Sequence, residues 1–406
     1  MRIGMISTHP PIECGIATYC QYLVEALRFH QMEIFVMSPF GAQGERVFPV
    51  FPPGSDTFAH MVFKLSTSMT PDIMHIQHEY GLYGDQRGME IVDLTLRYHL
   101  VGIPVVITLH TVYEHLSREE KIVLHPLLSA ASGVIVHEDF QKASLLEGLP
   151  DIPSLESKIA VIEHGIRTVG PVPNAKHILG LEGKKVLLLA GYFRPSKRFE
   201  LIVDLLPRLV ERVEDLVLVV AGKTRNLEYD EYRRQLFEKI HSSPVEDRIL
   251  VFRGQFPQYT FDTILSAADV VVLPYEKGAQ SGMLAQCFAA HRPVITSGLL
   301  AFRKVIERSG GGLIAEQDED YLELIPRVLN DKALYARLQE NIRRYVEKRA
   351  SWKKVAEAHI EVYRRILGST LGKARYIYIP EPAQDDRVKP LSPRIPAEGG
   401  MHGTTS

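Results

Sequence analysis

Apolar and polar positions along the first half of the chain fall into two alternating kinds of run. Short, nearly continuous apolar runs occur at Arg2–Ser7, Glu33–Ser38, Asp72–Gln77, Val105–Leu109, Val134–His137 and Ile159–Glu163. Each is too short for a helix and reads as a strand covered on both faces. Between them lie amphipathic stretches at Ile16–Phe29, Thr57–Met69, Gly88–Leu100, Arg118–Ala130 and Asp139–Leu149. Strand and helix in regular turn predict a parallel sheet with helices on both faces. Glu45–Pro53 breaks the rhythm, and its prolines predict an irregular hairpin or loop.

The pattern pauses at Thr168–Ala175, which reads as a linker, and then restarts. Strands are expected at Val186–Ala190, Leu216–Ala221, Ile249–Phe252, Asp269–Leu273, Val294–Thr296 and Gly312–Ala315. Helices are expected at Phe199–Val213, Tyr229–Ile240, Thr260–Ala267, Met283–Ala290 and Phe302–Arg308. Three helical stretches follow, at Tyr321–Leu329, Leu334–Lys348 and Lys353–Ile366. The expectation is two doubly wound domains, residues 1–170 and 171–350, with a helix at 351–370 packing back on the first. Residues 371–406 are rich in Pro, Gly and charge and are expected to be disordered.

Composition narrows the classes. A 406-residue chain fits two domains. The formal net charge of -2 offers no basic field for nucleic acid. Three cysteines, Cys14, Cys20 and Cys287, have no zinc-type spacing and suggest reduced thiols in a cytoplasmic protein. The chain enters a strand at Ile3 without a signal-peptide pattern, and no apolar run has the length of a membrane span. Peripheral membrane contact stays open.

Chemistry is expected in the cleft where the carboxyl edges of the two sheets meet. The first strand leads into Cys14-Gly15-Ile16-Ala17, which lacks the dinucleotide fingerprint Gly-x-Gly-x-x-Gly. That absence disfavours an NAD-dependent dehydrogenase. His75 and His78 lie three apart on a strand and point to opposite faces, which argues against a two-His metal site. His75 reads as a satisfied core histidine. His78 and Glu79 are expected at the cleft, and His110 follows the next strand. Glu138 and Asp139 also stand at a strand end, where an acid at a helix start is the plainer reading.

In the second half, Gly191-Tyr192-Phe193-Arg194-Pro195-Ser196-Lys197-Arg198 places three cations beside a glycine. Lys223 and Arg225 follow the next strand, and Gly254-Gln255-Phe256 could bound a base pocket. Gln280-Ser281-Gly282-Met283-Leu284 opens a helix with Ser281 at the N-cap, where free N–H groups and the helix dipole favour an anion. Cations facing such an N-terminus suit a diphosphate.

These pieces together resemble glycosyltransferase family 4. The resemblance covers about Met1 to Ile366. It rests on Cys14-Gly15-Ile16-Ala17, Thr108-Leu109-His110, Val161-Ile162-Glu163-His164-Gly165-Ile166, Gly191-x-x-Arg194-Pro195-x-Lys197, Ala221-Gly222-Lys223, and Ser281-Gly282-Met283-Leu284 through Pro293-Val294. It implies the α/β GT-B fold: two Rossmann-like domains, a cleft between them and a C-terminal helix crossing back. It also implies a retaining glycosyltransferase that uses a nucleotide-sugar donor. Gly15 and Ile16 would lie by the donor phosphates and His110 by the transferred sugar. Arg194 and Lys197 would neutralise the diphosphate, and the amides of Gly282, Met283 and Leu284 would hold its oxygens. Gln255 and Phe256 would bound the base, and Gln286 would meet the ribose.

The chain departs from the family in one respect. The Glu-x7-Glu signature aligns with Gly278 and Gln286, so both carboxylates are missing. Glu276 or Gln280 is expected to stand in. The usual glycine after Lys197 is Arg198, read as a further cation near the phosphates. The resemblance implies no metal, no other cofactor and no covalent nucleophile. GDP-mannose is the expected donor, with UDP-sugars open, and the acceptor is a saccharide, a lipid-linked or a small-molecule hydroxyl. A non-catalytic nucleotide-sugar-binding protein and a sugar-nucleotide 2-epimerase are the alternatives.

Overall fold

In the computed structural model the described residues are 1–55, 57–84, 86–223, 229–254, 256–278 and 282–370. Arg225, Gln255, Gln280, Ser281 and the tail from 371 therefore lie outside them. Two parallel sheets are present. The first holds β1 (Arg2–Ile6), β2 (Glu33–Pro39), β3 (Val47–Phe51), β4 (Ile73–His78), β5 (Val105–Leu109), β6 (Gly133–Val136) and β7 (Ile159–Val161), in the order β3-β2-β1-β4-β5-β6-β7. The second holds β8 (Lys185–Tyr192), β9 (Leu216–Lys223), β10 (Ile249–Arg253), β11 (Val270–Leu273), β12 (Val294–Ser297) and β13 (Gly312–Ala315), in the order β10-β9-β8-β11-β12-β13.

The central strands are buried on both faces, which is why they read as continuous apolar runs. Ile3, Met5 and Ile6 of β1, and Leu187, Leu188 and Leu189 of β8, have no exposed surface. Both sheets reverse their strand order, the first between β1 and β4 and the second between β8 and β11. Strand ends splay apart at such a point and open a crevice for ligands. The loops after β1, β4, β8 and β11 are those that carry Gly15, Glu79, Arg194 and Gly282.

The expected loop at Glu45–Pro53 is instead an edge strand, with β3 parallel to β2. Pro49 has no N–H for a ladder, and an edge position does not need one on its outer side. A register shift at Ser38/Pro39 accompanies it.

The helix Lys332–Tyr345 runs into one π turn, Val346–Ala350. The next helix, Trp352–Thr370, returns to the first sheet. Its Val355, Ala356, Ile360 and Tyr363 share a core with Ile3, Met5, Tyr19 and Leu23. Two glycines make room for it. A Cβ on Gly165 would lie 2.4 Å from the Trp352 ring, and one on Gly133 would lie 2.6 Å from Ile366.

Candidate active site

The second domain delivers its cations on a short rigid hook. After β8 the chain makes a 3-10 turn, Pro195–Lys197. The Phe193 N–H bonds the Lys223 carbonyl at 2.9 Å, and a Cβ on Gly222 would strike the Gly191 carbonyl at 1.9 Å. Only glycine lets β8 and β9 close up there. Arg194 Nε donates to Ser196 Oγ at 3.1 Å. Lys197 Nζ sits 3.3 Å above the centroid of the Tyr275 ring. Burial, with Arg194 close by, pulls the Lys197 ammonium down to about 7.

The loop after β11 is tied to this hook. The Glu276 N–H donates to the Ser196 carbonyl at 3.0 Å, and Ser297 Oγ donates to the Tyr275 carbonyl at 2.7 Å. Strands β8 and β11 are neighbours, paired at Leu187↔Val270 and Leu188↔Val271. The cations and the start of the helix Gly282–Ala289 therefore share one sheet edge. The Glu276 side chain is exposed, and Phe256 stacks near-parallel on Phe261.

Two open helix starts belong to this crevice. Gly15 begins the helix Gly15–Phe29, and Gly282 begins its own. A Cβ on either glycine would meet nothing within 4 Å, so neither is needed for packing. Ile16 next to Gly15 is half-buried. Glu13 in the same loop forms an ion pair with Lys223 across the cleft. Gly15→Ala and Gly282→Ala are expected to leave thermal melting unchanged while weakening nucleotide-sugar binding about tenfold, as measured by calorimetry. A melting shift without a binding change would remove both glycines from the ligand site.

Arg198 does not add a cation to the crevice. It adopts φ 50°, the left-handed conformation that the family's glycine suits, and its guanidinium is held by both Asp318 oxygens at 3.0 and 2.6 Å.

Gln286 is held in an unforeseen way. Arg167, from the segment joining the sheets, pairs with both Asp262 oxygens at 2.9 and 2.5 Å and donates to Gln286 Oε1 at 2.6 Å. Arginine has no acceptor, so the amide oxygen must face it. Only the Gln286 NH2 is left for a ligand. Residues 167 and 286 carry no local signal of this contact; it follows from the tertiary fold.

The first domain brings histidines to its strand ends. His78 ends β4, His110 and His137 directly follow β5 and β6, and His164 follows β7. The Tyr19 ring meets His110, His137, His164 and Trp352 edge-on at centroid distances of 4.7, 5.5, 5.2 and 5.0 Å. Burial keeps them neutral: it pulls His78 and His164 to about 4, His137 to about 3 and His110 well below its usual range. His78 has 0% exposure, so the expectation that it contacts an acceptor is corrected. Its strand position points it into the sheet's helix layer, beside Tyr80. Glu79 lies nearer the surface, accepts from Thr111 Oγ1 at 2.5 Å, and also accepts the Tyr80 N–H.

Further along the cleft, Arg308 donates to both Glu138 oxygens at 2.7 and 2.6 Å, and Tyr345 donates to Glu163 Oε2 at 2.9 Å. A cavity of about 40 Å³ lies between them, lined by His164 and Leu284 among others. It has room for water but not for a hexose. Met283, half-buried, borders the same helix start. Among the described residues, no group of three or more His, Cys, Asp or Glu is placed to hold a metal ion.

Two Rossmann-like domains sharing a crevice at their switch points define the GT-B class. Residues 173–345 match the family model for glycosyl transferases group 1. The chain is 25% identical over 404 residues to a phosphatidyl-myo-inositol mannosyltransferase of Mycolicibacterium smegmatis, covering 91% of this chain and 95% of that one. Sucrose-phosphate synthase of Thermosynechococcus elongatus superposes with a TM-score of 0.73 at 18% identity, covering 91% of this chain and 100% of that one. Anabaena HepE in complex with UDP superposes with a TM-score of 0.68 at 15% identity, covering 90% and 100%. The chain has the GT-B fold that the family 4 resemblance implied, and its second domain carries the match to glycosyl transferases group 1.

Proposed function

We propose that the protein transfers a hexose from a nucleotide-sugar to an acceptor hydroxyl with retention of anomeric configuration. One observation carries this reading: Arg194, Lys197 and the start of the helix Gly282–Ala289 stand on one sheet edge, tied by the Glu276–Ser196 hydrogen bond. When the glycosidic bond breaks, negative charge grows on the diphosphate. Two cations and the amides of Gly282 and Met283 at the helix start stabilise that charge without reorganising. The acceptor hydroxyl attacks the face the diphosphate leaves, and a diphosphate oxygen takes its proton. No metal, other cofactor or protein nucleophile is required.

Mannose from GDP-mannose is the favoured donor, because several relatives aligned over nine-tenths of the chain are named as phosphatidyl-myo-inositol mannosyltransferases. Phe256 and Gln255 bound the base, and the Gln286 NH2 donates to a ribose hydroxyl. Glu276, with Gln280, takes the sugar-binding place of the carboxylate that Gly278 lacks. Glu79 meets the acceptor, which is a saccharide, a small molecule or a lipid-linked hydroxyl reached by peripheral contact with a membrane. No helix among the described residues is long and apolar enough to cross one.

Transfer measured with a panel of nucleotide-sugars in the presence of EDTA tests the reading. GDP-mannose is expected to react fastest, and NMR of the product is expected to show the donor's anomeric configuration. Arg194→Ala is expected to weaken donor binding about hundredfold. An inverted product would overturn retention, and undiminished binding by Arg194→Ala would overturn the diphosphate clamp.

A further inference from the structure

A chain of buried polar groups runs from the C-terminal helix to His110. Tyr363 OH lies 2.6 Å from His75 Nδ1. His75 Nε2 lies 2.8 Å from Thr108 Oγ1 and 3.3 Å from Gln77 Nε2. Gln77 Nε2 also donates to Met5 Sδ at 3.4 Å, and Gln77 Oε1 lies 2.8 Å from His110 Nε2. Gln77, His75 and Thr108 have 0% exposure and His110 has 6%. Shut off from bulk solvent, each proton in such a chain is assigned by its neighbours.

The assignment starts at Met5. A thioether sulfur accepts weakly and never donates, so the Gln77 NH2 faces it and the Gln77 oxygen faces His110. The same NH2 donates to His75 Nε2, which is therefore the unprotonated nitrogen of that ring. His75 carries its proton on Nδ1 and gives it to Tyr363 OH. At the other end, an amide oxygen only accepts, so His110 carries its proton on Nε2. His110 Nδ1 is then a lone pair, and it has no hydrogen-bond partner among the described residues.

We propose that Gln77 is a positioning residue for His110: it fixes the Nε2–H tautomer and leaves Nδ1 as a hydrogen-bond acceptor for a hydroxyl of the transferred sugar. The second half rests on the nucleotide-sugar reading above; the first does not. A lone pair welcomes a hydroxyl and repels a carboxylate. The site therefore takes nucleotide-activated neutral hexoses and rejects the corresponding uronic acids. The logic is that of any catalytic imidazole whose far nitrogen is held by an acceptor. Here that acceptor is an uncharged amide, so nothing raises the basicity of the ring, and His110 does not work as a general base.

The test uses the full chain labelled with 15N-histidine, with His110 assigned through a His110→Asn variant. Long-range proton–nitrogen spectra are expected to show the His110 proton on Nε2. In Gln77→Glu a carboxylate replaces the amide. It keeps the Nε2 proton but favours the imidazolium, so His110 is expected to titrate at higher pH than in the wild type. An acid limb that the wild type lacks is then expected in kcat, because a doubly protonated ring offers no acceptor. Gln77→Met, which keeps the volume, is expected to lower kcat tenfold to hundredfold with little change in donor KM, as loss of a ring-orienting partner does. A His110 proton on Nδ1 in the wild type would overturn the lock, as would a Gln77→Glu protein with unchanged His110 titration. Turnover of a uronic-acid donor as fast as of its neutral hexose would overturn the sugar contact. If no donor reacted at all, the nucleotide-sugar reading would fall, while the spectra would still decide the tautomer.

Discussion

Binding of a nucleoside diphosphate is expected to take up a proton and to weaken as the pH rises above 7. Lys197 is the cause. Burial and the neighbouring Arg194 bring its ammonium down to about 7, so much of it is neutral in the free protein at pH 8. A diphosphate against it favours the charged form and raises its pKa in the complex. Below pH 7 the proton is already present and affinity is flat. Above pH 7 binding must recruit it, at about 1.4 kcal/mol per pH unit, so affinity falls about tenfold per unit until the pKa of the complex is reached. Calorimetry in two buffers of different ionisation enthalpy measures the uptake directly. Lys197→Arg is expected to abolish the pH dependence, since a guanidinium stays charged. Lys197→Met is expected to lower transfer by about a hundredfold to a thousandfold. Affinity unchanged between pH 6 and 9 would remove Lys197 from the anion site. The same shift acts against folding. The unfolded chain holds this proton up to the ordinary lysine value of 10.5, so the stability contributed by Lys197 rises with pH between about 7 and 10.5.

Arg308→Ala is expected to destabilise the protein by roughly 3–5 kcal/mol at pH 8 and by much less at pH 5. Glu138 is 5% exposed and its partner across the cleft is Arg308. Burial pushes the Glu138 carboxyl up to about 7 even though Arg308 opposes the shift. Because the folded pKa lies above the unfolded one, the contribution of Glu138 is fully present below about 4.5 and is lost as pH rises through 7. Without Arg308 the ionised form is costlier still, and the window moves upward. At low pH the carboxyl is neutral in wild type and variant alike, and the difference shrinks. Urea unfolding at pH 5 and pH 8 checks this. Glu138→Gln added to Arg308→Ala is expected to recover most of the loss at pH 8, because no unpaired charge remains buried. Equal losses at both pH values would mean that packing, not charge, governs the site.

Both sheets were legible from pattern because parallel strands buried on two faces leave unbroken apolar runs. β3 was not, since Pro49 marks a break for any reader who cannot know that the strand lies on an edge. The cation hook and the second helix start were legible as short motifs at strand ends. What joins them was not. Arg167 meets Gln286 across 119 residues, and Glu13 meets Lys223 across 210. Such contacts are set by how two domains face each other, and no periodicity encodes that. His78 shows a subtler limit. A period of two says that neighbouring side chains alternate, but not which face looks toward the cleft. Arg198 was misread for a local reason: its left-handed backbone and its pairing with Asp318 are invisible in a run of basic residues.

The helix Trp352–Thr370 has a consequence for assembly. The first sheet is synthesised early, yet its core lacks Trp352, Val355, Ile360, Tyr363 and Ile366 until the ribosome has made the whole second domain. Until then Ile3, Met5 and Leu23 have an open side, and the seats at Gly133 and Gly165 stand empty. The half that emerges first is completed last. An early chain of this kind is exposed to aggregation and to chaperones for as long as the remaining half takes to appear, and closure of its core is a long-range step.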